Sequence, residues 1–315
     1  MGYRIGIDLG GTNIAGGVVD ETYHILYKDS IATKAQGTGE ELLEDIVRFV
    51  HRLLKGTGMI LSDIRQIGIG VPGTANKSTG VVEYANNLKS SDLPIIATLE
   101  ERLGRPIFIE NDANAAALGE YLVGNVKSIS SFLMVTLGTG IGGGAILNGR
   151  LLEGCNYAAA EFGHMVIEKD GRQCTCGRKG CFEAYASVTA LITMARELVK
   201  DNPNSLLYKV YKENHENLNG QMICNCVRSG DEISIKVLNQ YINYLAIGLT
   251  NLVNIFQPEV LCIGGGISAA SDLFIDMLRE QVKRESYTTN SKVQTILKKA
   301  SLGNDAGIVG AAFLV

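Results

Sequence analysis

Short apolar runs separated by glycine turns open this chain. Residues 3–9 read as a strand, Gly10-Gly11-Thr12 as a turn, and 14–19 as a second strand. A closely similar arrangement recurs at 131–135, Leu137-Gly138-Thr139-Gly140-Ile141-Gly142-Gly143-Gly144 and 145–147, so the chain carries an internal duplication. Between the two copies the pattern predicts a helix near 40–54 and a strand at 66–70 running into Val71-Pro72-Gly73. A helix at 95–103, a short strand at 106–109 and an alanine-rich helix at 113–122 follow. The second half is more helical. Segments 187–199 and 231–256 have the length and period of buried helices, the second starting at a capping Asp231 and stopping before Pro258. A strand at 259–263 enters Gly264-Gly265-Gly266, and the small apolar segment 305–315 reads as helix. Strands alternating with helices place the chain in the α/β class.

Four residues interrupt that pattern with a different chemistry. His164 is followed after nine residues by Cys174-Thr-Cys176-Gly-Arg-Lys-Gly-Cys181. Three thiols and an imidazole are the ligand set of a closed tetrahedral zinc site. Gly177 and Gly180 stand where a chain wrapping a metal needs unusual backbone angles. Buried free cysteines are the bland alternative, but three within eight residues, interleaved with Gly, Arg and Lys, do not suit a core. Glu161 and Glu183 flank the ligands, so a metal that fixes this loop also fixes two carboxylates. Cys224-Asn-Cys226 falls in a helical stretch without further ligands nearby, which favours buried structural thiols. Cys155 and Cys262 stand alone and read as inert, and His24, His51 and His215 have no catalytic-looking neighbours.

The bulk properties narrow the class. The 315 residues are 46% hydrophobic and 20% charged, with a net charge of −4, which suits a globular protein of one large or two smaller domains. The acidic balance and the lack of a basic block argue against nucleic acid or an anionic membrane as partner. No apolar run reaches the roughly 18 residues that span a bilayer, and the first residues carry a charge too early for a signal peptide. Seven cysteines, an odd number, point to a reducing compartment, with the cytoplasm as default.

The glycine turns suggest what is bound. Asp8-Leu9-Gly10-Gly11-Thr12-Asn13 puts a carboxylate at a strand end and exposes backbone N–H groups that can cradle phosphate. Gly138-Thr139-Gly140 offers the same again. Either turn alone is an ordinary hairpin. Neither is followed by the Lys-Ser/Thr of a Walker motif or by the helix of a dinucleotide fold. Together with Gly264–Gly266 they point to nucleotide binding. Asp112 opens the alanine-rich helix and can be read as its N-cap or as an acid/base. The capping-box partner is missing, since position 115 is Ala.

Taken together, these motifs resemble the ROK family of sugar kinases, from Asp8 to Ala312. Asp8-Leu-Gly-Gly-Thr12, Leu137-Gly-Thr-Gly140 and Ile263-Gly-Gly-Gly-Ile-Ser268 are similar to its two phosphate motifs and its adenosine segment. Glu110-Asn-Asp-Ala-Asn-Ala-Ala-Ala-Leu-Gly119-Glu120 is similar to its catalytic stretch, and Glu161-x-x-His164 with Cys174-x-Cys-Gly-x-x-Gly-Cys181-x-Glu183 to its sugar-and-zinc signature. The resemblance implies the two-lobed actin-like ATPase fold, shared with hexokinase, Hsp70 and ribonuclease H, carrying a zinc loop. It implies ATP, Mg²⁺ and structural Zn²⁺ as cofactors. Asp112 would be the general base and Asn111 a sugar contact, with Gly73 and Asn87 lining the sugar pocket. Glu161, His164 and Glu183 would bind other hydroxyls, with His164 facing zinc through one ring nitrogen and sugar through the other. Asp8 would organise Mg²⁺, while Gly10, Gly11, Thr12, Asn13, Gly138, Thr139, Gly140 and Gly264, Gly265, Gly266 would hold ATP.

The function implied is ATP-dependent phosphorylation of a hexose at its 6-hydroxyl, with glucose first and N-acetylmannosamine, mannose or fructose as alternatives. Some family members are sugar-responsive repressors with a helix-turn-helix ahead of the first glycine motif. Here a strand starting at about residue 3 leaves no room for one. A non-catalytic sugar sensor would be expected to have lost Asp112 or a phosphate turn. The expected architecture is a lobe of 1–112 plus 301–315 and a lobe of 113–300, closing on sugar and nucleotide. The resemblance also implies a homodimer.

Overall fold

The structure, a computed structural model, describes residues 2–33, 37–85, 90–124 and 129–315. The chain opens with β1 (Tyr3–Leu9), β2 (Asn13–Val19), β3 (Ile25–Ala32) and α1 (Gly39–Thr57). Then come β4 (Ile64–Val71), the short strands β5 (Thr74–Asn76), β6 (Val81–Ala85) and β7 (Ser90–Leu93), and α2 (Ile95–Leu103). β8 (Ile107–Asn111) runs directly into α3 (Asp112–Val123), and β9 (Ser131–Leu137), β10 (Ile141–Leu147) and β11 (Arg150–Leu151) follow. Helices α4 (Glu183–Ala186), α5 (Val188–Val199), α6 (Leu206–Asn214), α7 (Gly220–Arg228) and α8 (Glu232–Phe256) come next. β12 (Val260–Gly264), α9 (Ile275–Glu285), β13 (Ile296–Lys299) and α10 (Asp305–Ala312) complete it.

Two compact units result. One comprises Met1–Ser130, Gly144–Ala160 and Ser301–Val315, the other Ser131–Gly143 and Glu161–Ala300. Sequence analysis puts the boundary at 112, whereas α3 and the segment 144–160 group with the first unit. The reason is backbone packing, since α3 lies flat along α10. A Cβ on Gly310 would come 1.7 Å from the Ala115 carbonyl, and one on Gly119 would come 2.1 Å from that of Ala306. Gly142 to Gly144, read above as part of a turn, belong to β10.

The first sheet runs β3-β2-β1-β4-β8, with β1, β4 and β8 parallel. Alternation sorts its faces. Ile5, Ile7 and Leu9 of β1 with Ile67, Ile69 and Val71 of β4 pack beneath α1 and α2 in one buried cluster. The intervening Gly6 and Gly68 let α10 lie directly on the opposite face, where a Cβ would come 1.8 and 1.7 Å from its carbonyls. Gln66 closes that face by donating to the carbonyls of Ala312 and Leu314. Such contacts leave no room for a methyl group. Gly310→Ala should destabilise the protein by about 1–3 kcal/mol, read as a lowered denaturation midpoint.

In the second five-stranded sheet β10, β9, β12 and β13 are successive neighbours, with β9, β12 and β13 parallel. That order repeats β2-β1-β4-β8, as the internal duplication predicts. Asp231 caps α8 by accepting from Ser234 N–H, also as expected. No helix among the described residues is long and apolar enough to cross a membrane.

Candidate active site

In the first unit the chemistry gathers at the carboxyl ends of the parallel strands. Asp8 pairs with Gly70 on β4, and Gly70 with Glu110 on β8. Neighbouring strands lie about 4.8 Å apart, so Asp8 and Glu110 are roughly 10 Å from each other. Open sheets of this kind bind ligands at such strand ends. The turn after β1 is tied by Gly10 N–H donating to the Asn13 carbonyl at 2.9 Å. Thr33 holds it from β3's end, its hydroxyl donating to the Gly10 carbonyl at 2.8 Å. Thr12 and Asn13 remain exposed. Burial raises the Asp8 carboxyl above its ordinary range, and a cation at that carboxylate would reverse the shift. The carboxylate is therefore a fitting donor for Mg²⁺.

The ambiguity over Asp112 resolves one residue earlier. Asn111 is the N-cap of α3, its Oδ1 accepting from Ala113 and Asn114 N–H at 2.9 and 3.2 Å. Asp112 is thus the first helical residue rather than the cap. Asn111 Nδ2 donates to the Gly73 carbonyl at 3.1 Å, which joins the Val71-Pro72-Gly73 turn to the start of α3. Behind them Glu110, only 1% exposed, accepts from Asn111 N–H and Asn114 Nδ2. Its other oxygen lies 2.6 Å from Lys77 Nζ, which is also 2.6 Å from Glu153. Lys77 and Glu153 have no signal in the sequence, because their partners are remote along the chain. Glu120, part of the same motif, is an anchor: buried in α3, it accepts from Ser301 and Leu302 just before α10.

In the second unit His164, Cys174, Cys176 and Cys181 converge, their ligand atoms all within 4.8 Å of one another. Cys174 Sγ is 3.7 Å from His164 Nδ1, and the Cys176 and Cys181 sulfurs are 3.6 Å apart. Tetrahedral zinc, with bonds of about 2.3 Å to sulfur and 2.0 Å to nitrogen, sets its ligand atoms roughly 3.5–3.8 Å apart. The donor set fits the ion in type, number and spacing. Gly177 and Gly180 adopt φ of 89° and 79°, the left-handed angles the loop requires. Without a cation the thiols are ill-matched. A hydrogen bond from the Arg178 backbone draws Cys176 down, while burial, with neighbouring thiols adding, pushes Cys181 up to about 12. We expect one zinc per chain by elemental analysis of protein purified without added metal. Zinc absent from reduced, active protein would contradict the site.

Around that loop His164 turns Nδ1 to the thiols and Nε2 towards Glu161, 3.9 Å away. Burial raises the Glu161 carboxyl, with His164 pulling it back and the charge of Glu183 adding to the rise. Ala160, immediately before, holds φ at 63°, a strained angle for alanine of the sort found beside functional groups. The Gly138–Gly140 turn and Gly264–Gly266 lie at neighbouring strand ends, with Gly264 paired to Thr136. Both line one cavity of about 470 Å³, together with Thr189, Asn219 and Cys224. Cys224 and Cys226 are buried on α7, as structural thiols.

A model of the ROK family matches residues 4–315. The chain belongs to the ROK family. It is 36% identical to the glucokinase of Streptomyces coelicolor, over 100% of this chain and 98% of that one. The ROK glucokinase of Streptomyces griseus, solved in complex with glucose and AMPPNP, superposes with a TM-score of 0.82 at 34% identity, covering 99% and 98% of the two chains. The fold is therefore the actin-like ATPase fold expected. The xylose repressor of Bacillus subtilis is 31% identical over 100% of this chain and 77% of the repressor.

Within the first unit, then, the described structure brings Asp8, the Gly10–Asn13 turn, Gly73, Asn111 and Asp112 to one set of strand ends. Within the second it groups Glu161, His164, Glu183 and the three cysteines, and brings the two glycine runs to neighbouring strand ends, the first of them in contact with Glu183. Asn87 lies outside the described residues.

Proposed function

We propose that this ATP-dependent hexose kinase transfers the γ-phosphoryl group of ATP to the 6-hydroxyl of glucose. The observation that carries the reading is the start of α3: Asn111 caps the helix and ties it to the Gly73 turn, and the Asp112 carboxylate, whose Oδ1 accepts from Ala113 N–H at 2.8 Å, stands beside them at the carboxyl ends of the parallel strands. Phosphoryl transfer asks a protein for positioning, charge stabilisation and an acceptor for the alcohol's proton. Asp112 takes that proton as the sugar oxygen bonds to phosphorus. The bond from phosphorus to the leaving oxygen breaks, and ADP departs with its electron pair. Asp8 would hold magnesium, which would supply charge neutralisation to the phosphates. Glu161 and His164 Nε2 would take ring hydroxyls, and His164 Nδ1 with the three cysteine thiolates would hold zinc, which would keep the imidazole ring oriented. Glu183 would reach the sugar through Oε1, which also accepts from Thr175 Oγ1 at 3.5 Å, while Oε2 accepts from Ile141 N–H at 2.9 Å.

A sugar-responsive regulator is the competing reading, favoured by the repressor relative. Two things support the kinase instead: the end-to-end match to a glucokinase, and the retention of Asp112 with both phosphate turns. ADP release measured over a sugar panel tests the assignment. A site built to hydrogen-bond a hydroxyl rejects analogues that leave its polar groups unpaired, so glucose should exceed fructose clearly in kcat/KM. A preference of about tenfold or more for N-acetylmannosamine or fructose would overturn glucose and leave the kinase standing. No sugar-dependent ADP release would overturn both.

A further inference from the structure

The zinc loop does not end at the sugar contacts. Glu183, two residues after Cys181, opens α4, and its Oε2 accepts the N–H of Ile141 at 2.9 Å. Ile141 immediately follows the Gly138–Gly140 turn. The approach is close: a Cβ on Gly140 would lie 2.1 Å from that carboxylate oxygen, so only glycine admits the contact. A second part of the loop reaches the same residue, since Gly163, beside His164, leaves 2.3 Å between its would-be Cβ and the Ile141 carbonyl. The chain after α4 completes the clamp, with Val188 N–H donating to the Gly138 carbonyl at 2.9 Å. The Thr189 hydroxyl donates to the Thr139 carbonyl at 2.7 Å. The other Glu183 oxygen faces the metal loop, 3.5 Å from Thr175 Oγ1 and 3.9 Å from Cys174 Sγ.

We infer that Glu183 is a positioning residue through which the metal loop sets nucleotide affinity. The inference rests on the reading of Gly138–Gly140 as a nucleotide turn. A turn that binds phosphate by backbone N–H groups works only if those groups are already aimed, because ordering them on binding subtracts from affinity. With metal bound, Cys174 and Cys181 are fixed on either side of Glu183's contacts. The carboxylate is then held against Ile141 and the turn is pre-formed. Without metal the loop relaxes, Glu183 loses its second support, and the turn must be ordered by the ligand itself. Coupling of this kind is reciprocal: ADP must raise the loop's affinity for zinc by the factor by which zinc raises affinity for ADP.

The test uses ADP alone, without sugar, measured by calorimetry on zinc-loaded protein and on protein stripped and freed of chelator. Stripping the wild type should weaken ADP about tenfold or more. Zinc-loaded Glu183→Ala should show a similar loss and respond less than about twofold to stripping. Glu183→Gln should restore binding, because its amide oxygen still accepts the Ile141 N–H. If stripped protein unfolds, the comparison of loaded wild type, Glu183→Ala and Glu183→Gln decides alone. ADP affinity unchanged in loaded Glu183→Ala, or a tenfold metal effect surviving in that variant, would overturn the proposal. Loaded wild type that binds no ADP would instead overturn the nucleotide turn, and this coupling with it.

Discussion

Replacing Asp112 with Asn will lower kcat by at least roughly 10²–10⁴ while sugar affinity changes far less. That is the ordinary effect of removing a general base. The amide keeps the shape of the side chain but cannot accept the proton. The fold should suffer little, because Asn111 caps α3 and the new amide oxygen still accepts the Ala113 N–H; losing the charge from the first turn should cost about 0.3–1 kcal/mol. Asn111→Ala is the counterpart. It removes the cap and the bond to the Gly73 carbonyl, and should cost about 0.5–2 kcal/mol. Steady-state kinetics with a denaturation curve on each variant separates the roles. Near-normal turnover in Asp112→Asn would place the base elsewhere.

Lys77→Met should destabilise the protein by about 3 kcal/mol, the lower end of the range for breaking a buried ion pair from one side. Glu110 is 1% exposed and would be left as a buried carboxylate without its cation. The lower end applies because the Lys77 side chain is 20% exposed, which lets water share the site. Burial alone would pull the Lys77 ammonium down, but Glu110 and Glu153 outweigh it and hold it up. A raised lysine contributes its stability in full below its unfolded value near 10.4 and loses it only as pH climbs through the folded value. The deficit of Lys77→Met should therefore be constant across neutral pH. Adding Glu110→Gln should recover part of it, since the amide carries no charge to bury. A loss under about 1 kcal/mol in urea denaturation, or no recovery, would mean that the pair is not supporting the start of α3.

The parts legible in the sequence are those whose partners are local. Strands β1, β4 and β9 announced themselves by apolar runs leading into glycine turns, β2 by the apolar run after the first such turn, and α2 emerged with the expected bounds. The metal ligands were legible because three of the four lie within eight residues. β3 was not, since its Ile-Leu-Tyr-Lys-Asp-Ser-Ile-Ala mixes charge into a half-exposed edge strand. α9 was missed because Arg, Glu, Gln and Lys dominate it and only Leu278 and Val282 are buried. The cap at Asn111 was hidden for a different reason: Asn and Asp are equally good caps, and only geometry separates adjacent candidates. Lys77 was invisible because both of its acids come from elsewhere in the chain. Glu183 was read as a sugar contact, and nothing in the sequence placed it against Ile141.

A hexose hydroxyl should receive the terminal phosphoryl group of ATP. Phosphorus NMR of the purified protein incubated with glucose, ATP and magnesium tests it directly. The ATP γ signal should be replaced by that of glucose 6-phosphate, with one ADP formed per sugar phosphate. ATP left intact, or converted to ADP and inorganic phosphate without any sugar phosphate, would contradict it.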